Sequence, residues 1–174
     1  MMLWRGVALL ITAVLLSGCV TERAGFDYAT VTQQIGAPKP GHSRIVVIQE
    51  KTSSLGATVC DIKLDGSPVG KLKLGTYVYA DRPAGRHQLL ATEVMFPGES
   101  KRDFATEPGR TYFFLARPSE RHNAVTGMTF AGGLAGMLVA SAVTSSSDNP
   151  GPVDLLVLDE ATARTAITGL QLAE

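Results

Sequence analysis

Three histidines, one internal cysteine and a few aspartates are the residues with which this chain could do chemistry. His42, His87 and His122 sit in three different local contexts. They share none of the short spacings that gather ligands around one metal ion. His87 follows a turn at the start of a strand, where a structural histidine belongs. Cys60 falls on the apolar face of an alternating strand, whereas a reactive thiol needs an accessible, electropositive setting to ionise. Asp61, Asp65 and Asp81 could serve as paired carboxylates, but Asp65 is explained by the turn it forms with Gly66 and the others by solvated faces. The chain has no Gly-x-Ser-x-Gly elbow and no phosphate loop. The Gly-rich run from Gly127 to Gly136 lacks the lysine that a phosphate cradle needs. Lys71, Lys73, Lys101 and Arg102 fall on outward faces and read as solvated, with anionic lipid or polymer as the alternative contact. These residues imply no metal, no cofactor and no enzyme. An envelope enzyme is the minor alternative, and it would require one of the histidines to meet a carboxylate and a hydroxyl in a cleft.

Composition narrows the function classes further. Sixteen basic residues face 16 acidic ones, for a formal net charge of zero, which argues against a nucleic-acid partner because phosphate neutralisation needs a basic excess. Two cysteines in 174 residues exclude a disulfide-dense scaffold. Charged residues make up 18% of the chain, below the roughly 25% of soluble domains.

The N-terminus reads as a targeting segment. Arg5 supplies a positive start, and Val7 to Leu16 is a mostly apolar run, too short to cross a bilayer core that needs about 20 residues. Leu16-Ser17-Gly18-Cys19 comes next and resembles the lipobox of bacterial lipoproteins. The resemblance implies that residues 1–18 are a signal peptide, removed before Cys19. It also implies a diacylglycerol on the Cys19 sulfur and acylation of the new amine, so that membrane lipid is a partner through Cys19. Two or three acyl chains, at about 0.8 kcal/mol for each buried CH₂, would make the anchor effectively permanent. Val20, where an aspartate would retain such a protein at the inner membrane, implies the outer membrane, with the domain facing the periplasm. Residues 19–43 read as a tether, in which Phe26, Tyr28, Val31 and Ile35 could dock on the folded domain.

Residues 44–173 read as one mainly-β domain, a small antiparallel β-sandwich with an inserted apolar segment and a short C-terminal helix. Gly66, Gly75, Gly85, Gly98 and Gly109 cut the chain at near-regular intervals, the signal of many short strands. Arg44–Gln49 and Arg110–Leu115 are apolar on both faces and should be central strands. Cys60, Ile62 and Leu64 alternate with Asp61 and Lys63 before the Asp65-Gly66 turn. Lys101–Ala105 reads as a polar edge strand. Val153–Leu158 is a strand that needs the central sheet. Asp159 should cap a helix over Glu160–Ile167, and Gly169 should end it. The succession Arg44-Ile-Val-Val-Ile, Val59 to Gly66 with Val69-Gly70-Lys71-Leu72, Gly75-Thr-Tyr, Pro83-Ala-Gly85-Arg-His87 and Pro108-Gly109-Arg-Thr-Tyr112-Phe resembles the bacterial lipoprotein family called domain of unknown function 2846. The resemblance covers roughly residues 44–117. It implies an antiparallel fold of about eight strands on a lipid anchor and no established activity, so it assigns no catalytic residue.

Residues 124–143 contain no charge in twenty positions, the length of a bilayer-spanning helix. Gly132, Gly136 and Ala140 recur every four residues, a small-xxx-small stripe that lets helices approach closely. Three readings are open: an apolar helix or Gly-rich insertion packed on the sandwich, a helix that lies in or enters the membrane, or a stripe that self-associates. Residues 144–152 read as a flexible loop. The leading functional expectation is a lipid-anchored, non-enzymatic envelope domain that binds or scaffolds another envelope component. The alternative is a membrane-inserting or self-associating lipoprotein that uses the Gly132, Gly136 and Ala140 contact.

Overall fold

The computed structural model describes residues 25–51, 59–144 and 149–173. The signal segment 1–18, Cys19, the first residues of the expected tether and residues 145–148 of the 144–152 loop lie outside the described residues. Nine strands and three helices are present in this part: α1 (Tyr28–Ile35), β1 (His42–Gln49), β2 (Cys60–Leu64), β3 (Ser67–Leu72), β4 (Thr76–Pro83), β5 (Arg86–Glu93), β6 (Glu99–Ala105), β7 (Thr111–Pro118), α2 (Glu120–Val143), β8 (Val153–Leu158), α3 (Glu160–Ala166) and β9 (Gln171–Leu172). The strands form a five-stranded sheet in the order β8-β7-β1-β4-β9 and a four-stranded sheet in the order β3-β2-β5-β6. The domain is mainly β, as its turn spacing implied.

The local rules behind these elements are plain. Asp65 and Gly66 both take positive φ, 51° and 76°, the backbone of a two-residue turn that matches strand twist, and β2 and β3 pair across it. β1 buries Ile45 and Val47 on one face and Val46 and Ile48 on the other. The first pair joins Ile62, Leu64, Leu89 and Phe114 between the two sheets. The second pair packs outward against the helices α1 and α3 through Val31, Ala163 and Ile167. Cys60 is a buried thiol in the inter-sheet core. Asp159 caps α3 by accepting a hydrogen bond from the Thr162 N–H at 2.9 Å, and Gly169 lies beyond the helix with φ 73°.

Two pairings differ from the antiparallel arrangement expected. β1 pairs with β7 in parallel, and β4 pairs with β9 in parallel. After β1 the chain leaves the first sheet, builds β2 and β3, returns as β4, and builds β5 and β6 before β7 comes back beside β1. That long excursion allows the parallel crossover that a hairpin cannot make. The tether expectation also changes over its described part. Asp27 caps α1 through the Thr30 N–H at 2.8 Å, Val31 is fully buried, and Tyr28 stacks edge-on against Tyr77 and Phe113. Arg44 ties the end of α1 to the sheet by donating to the Gly36 carbonyl at 2.8 Å and to both Asp81 carboxylate oxygens at 2.7 and 2.9 Å. Residues from Phe26 onward therefore belong to the domain.

Candidate functional site

The uncharged segment is not a straight helix. Gly133 sits at φ 59° and ψ −145° inside α2, a conformation open essentially to glycine alone. The chain reverses there. Arg121 Nε donates to Thr144 Oγ1 at 3.1 Å, although a continuous helix would hold these two residues about 34 Å apart. α2 is thus a helical hairpin with arms at residues 120–132 and 134–143, about 20 and 15 Å long at 1.5 Å per residue. Each arm is shorter than a bilayer core of roughly 30 Å. Length and composition alone would let Glu120–Ala142 cross a membrane, but the reversal removes the straight span.

This reversal assigns the small-residue stripe. A Cβ on Gly136 would collide with the Met128 carbonyl oxygen of the opposite arm, and Ala140 is buried. A Cβ on Gly132 would meet nothing within 4 Å. Gly136 and Ala140 therefore let the two arms of one chain approach, while Gly132 lies open beside the turn. The adjacent Gly132-Gly133 pair was the sequence signal for the break, since such pairs mark sharp kinks.

The root of the hairpin is held by polar groups from several elements. Ser119 caps the first arm, accepting from the His122 N–H at 3.0 Å and donating to the Gly151 carbonyl at 2.7 Å. Buried Arg121 donates to the Pro97 and Pro150 carbonyls and lies over the Phe96 ring at 5.3 Å. Ser100 donates to the Val153 carbonyl and accepts from its N–H. A Cβ on Gly151 would strike Ser100, and one on Gly98 would strike the Pro150 carbonyl. Loop 97–98, the helix start and strand β8 thus meet with no room to spare.

Between the hairpin and the β5–β6 turn runs a groove of about 310 Å³. Val125, Thr129, Phe130 and Met137 line one wall, and Val94, Met95 and Phe96 line the other. His122 and Glu93 also line it, both largely buried, with His122 Nε2 at 3.2 Å from Glu93 Oε2. That is an ion-pair distance without hydrogen-bond alignment, and His122 Nδ1 has no hydrogen-bond partner. The His122 ring stacks on Phe96 at 5.4 Å. Sequence reading did not join His122 to Glu93, because they lie on different elements 29 positions apart. Met95 is 80% exposed and holds a positive φ of 66°, a strained backbone for a side chain of its size.

The other histidines lie elsewhere. His87 Nδ1 is 2.7 Å from Asp65 Oδ2, and its Nε2 donates to the Pro83 carbonyl at 3.0 Å. Asp65 also accepts from the Gln88 N–H at 2.9 Å. Burial disfavours the Asp65 carboxylate, but the Gln88 N–H and His87 outweigh it and hold its pKa below the ordinary value. Both His87 nitrogens are thus engaged by turn atoms, which leaves no free nitrogen to activate a nucleophile. His42 Nδ1 lies 3.2 Å from the Pro40 carbonyl. Among the described residues no hydroxyl is hydrogen-bonded to any of the three imidazole rings, and no three His, Cys, Asp or Glu side chains are grouped to hold a metal ion.

A mainly-β, two-sheet domain carrying a clamped apolar hairpin is the class of molecule these observations define. The chain belongs to the family described as Protein of unknown function (DUF2846), whose model matches residues 39–129. The match runs from the turn before β1 into the first hairpin arm and ends ahead of the Gly132-Gly133 reversal. No curated protein matches the sequence.

Proposed function

We propose that the protein is a lipid-anchored cell-envelope domain that binds or scaffolds another envelope component and catalyses no reaction. The observation that carries the binding role is the apolar groove between hairpin and β5–β6 turn, with its exposed, uncharged rim. A groove of this kind takes an apolar partner surface and offers no positioned nucleophile. The membrane location rests on Leu16-Ser17-Gly18-Cys19: cleavage before Cys19 would remove Arg5 and leave 15 bases against 16 acids, a near-neutral domain held by lipid and not by charge. Val20 favours the outer membrane and a periplasm-facing domain.

The fractionation of a Cys19→Ala chain tests the anchor. Loss of processing, or release of a processed chain into the soluble fraction, is the expected result. A Cys19→Ala chain that stays with the membrane at mature size would overturn lipid anchoring as the means of attachment. Turnover of any substrate class by the purified protein, abolished by His122→Ala or His87→Ala, would overturn the non-enzymatic role.

A further inference from the structure

The hairpin leaves its apolar side chains uncovered. Phe130 is 84% exposed and Leu134 69%, and Leu138 and Val139 are exposed beside them. Val94 and Met95 stand exposed on the neighbouring turn. No charged residue interrupts positions 124–143. A fold that buries β1 from Ser43 to Gln49 and clamps the hairpin root has not used these residues for its own stability.

The length of chain between Cys19 and the domain says what can reach them. Only residues 20–24 separate Cys19 from Gly25, so a fully extended connection spans about 20 Å at most. Gly25 donates to the Leu172 carbonyl on β9, and Leu172 lies opposite Tyr77, one residue inside the start of β4. β4 starts at Thr76, opposite the end of β1 at Gln49. β1 and β7 run in parallel, so β7 ends at Pro118 on this same side, and there the hairpin departs. Anchor attachment and hairpin root therefore share one end of the five-stranded sheet, about 15–19 Å apart across three to four strand spacings. A bilayer that holds the Cys19 acyl chains is within reach of the hairpin tip.

We infer that the hairpin tip and the Val94-Met95 turn form a shallow membrane wedge, with Phe130, Leu134, Leu138 and Met95 entering the headgroup–acyl boundary of the bilayer in which Cys19 is anchored. The inference rests on the anchor reading and deepens it, because it replaces a flexible tether by two-point attachment and so fixes the orientation of the domain. Neither hairpin arm spans the bilayer, so the wedge enters one leaflet only, at the 5–10 Å depth typical of interfacial helices. The uncharged tip enters without desolvating an ion.

The only tryptophan of the chain is Trp4, in the segment removed before Cys19. Phe130→Trp therefore places a single reporter in the mature protein, at an exposed site that carries no packing load. Val157→Trp, exposed on β8 away from the hairpin, is the control. Full-length chains are expressed, processed and reconstituted in phosphatidylethanolamine–phosphatidylglycerol vesicles, with mass spectrometry confirming acylated Cys19. In vesicles of lipid brominated near the headgroup end of the chain, the reporter at position 130 should lose about half its fluorescence or more, as a group seated at the interface does, and the reporter at 157 almost none. Vesicle-bound, acylated protein whose position-130 reporter stays in water and unquenched would overturn the wedge and leave the anchor intact. A blue-shifted reporter that lipid does not quench, with concentration-dependent crosslinking, would overturn it in favour of a second copy of the chain. Absence of acyl mass on Cys19 would overturn the anchor reading, and the wedge with it.

Discussion

At the root of the hairpin Arg121 reaches carbonyls on two different loops and a threonine on the returning arm, and Gly151 sits against Ser100 with no space for a methyl group. Nine residues further along the same helix Phe130 is almost fully in water, and a side chain at Gly132 would touch nothing. The two regions are the opposite ends of one helical hairpin. At the root, small size serves close packing, and Ser119, Arg121 and Ser100 all bond to protein carbonyls. At the tip, small size serves the chain reversal, and the apolar groups stand uncovered. The root is thus built for stability, and the tip for something outside the protein.

Four experiments break or sharpen that contrast. The largest effect should come at the root: Gly151→Val forces a side chain into Ser100, at a cost of about 3 kcal/mol or more for overpacking a closed site, read as a lower midpoint in urea unfolding. Arg121→Ala leaves the Pro97 and Pro150 carbonyls without their donor and should cost about 2–3 kcal/mol. Faster amide exchange in both hairpin arms, with the sandwich strands unchanged, would show that the loss is local. An unaltered urea midpoint for both variants would mean that the root is not the clamp described.

The reversal itself comes next. Gly133→Ala has to place a Cβ at φ 59° and ψ −145°, a strain of about 1–3 kcal/mol. It should shift the hairpin toward one continuous helix. Spin labels at Asn123 and Ala142 would then move apart toward the roughly 30 Å of a straight helix. Gly132→Ala, in open space, should be neutral or gain up to about 1 kcal/mol from helix propensity. Equal effects of the two substitutions would show that the reversal does not depend on the backbone conformation of Gly133.

Acid should act on the body and spare the tip. The Thr30 N–H holds the Asp27 carboxyl, hydrogen bonds from Thr162 hold that of Asp159, and the Gln88 N–H with His87 holds that of Asp65 against its burial, so all three lie below their ordinary pKa. Such groups stabilise the fold above the unfolded value near 3.9 and lose that contribution as pH falls through the folded value. The melting temperature should therefore fall between about pH 5 and pH 2, and Asp159→Asn, which still caps but does not titrate there, should lessen the fall. The smallest effect belongs to the tip: Phe130→Ser and Leu134→Ser should change unfolding stability by no more than about 0.5 kcal/mol, as exposed sites do. A large loss at either would mean that the tip is packed after all.

Much of the sandwich was legible because its rules are local. Cys60, Ile62 and Leu64 alternate with polar neighbours and lie in the core, Asp65-Gly66 turns as its residue types require, and Asp159 caps α3. α1 was less legible, since two helical turns give no sustained period and its stability comes from Val31 and Tyr28 meeting a sheet assembled later in the chain. The parallel pairing of β1 with β7 was not legible, because strand alternation carries no record of direction. Of the stripe residues Gly132, Gly136 and Ala140, the spacing was visible and the partner was not: Gly136 meets Met128 of its own chain.

By itself the sequence determined most strand positions, the Asp65-Gly66 turn, the Asp159 cap, the apolar character of residues 124–143 and the Cys19 motif, all properties of residue type and short spacing. Tertiary structure decided that the apolar run folds back at Gly133, a break that the Gly132-Gly133 pair permits but does not impose, that His122 sits beside Glu93, and that the hairpin leaves the sheet at the end where Gly25 attaches. Each of these depends on contacts between segments far apart in the chain, whose free energy of packing outweighs what any local window encodes.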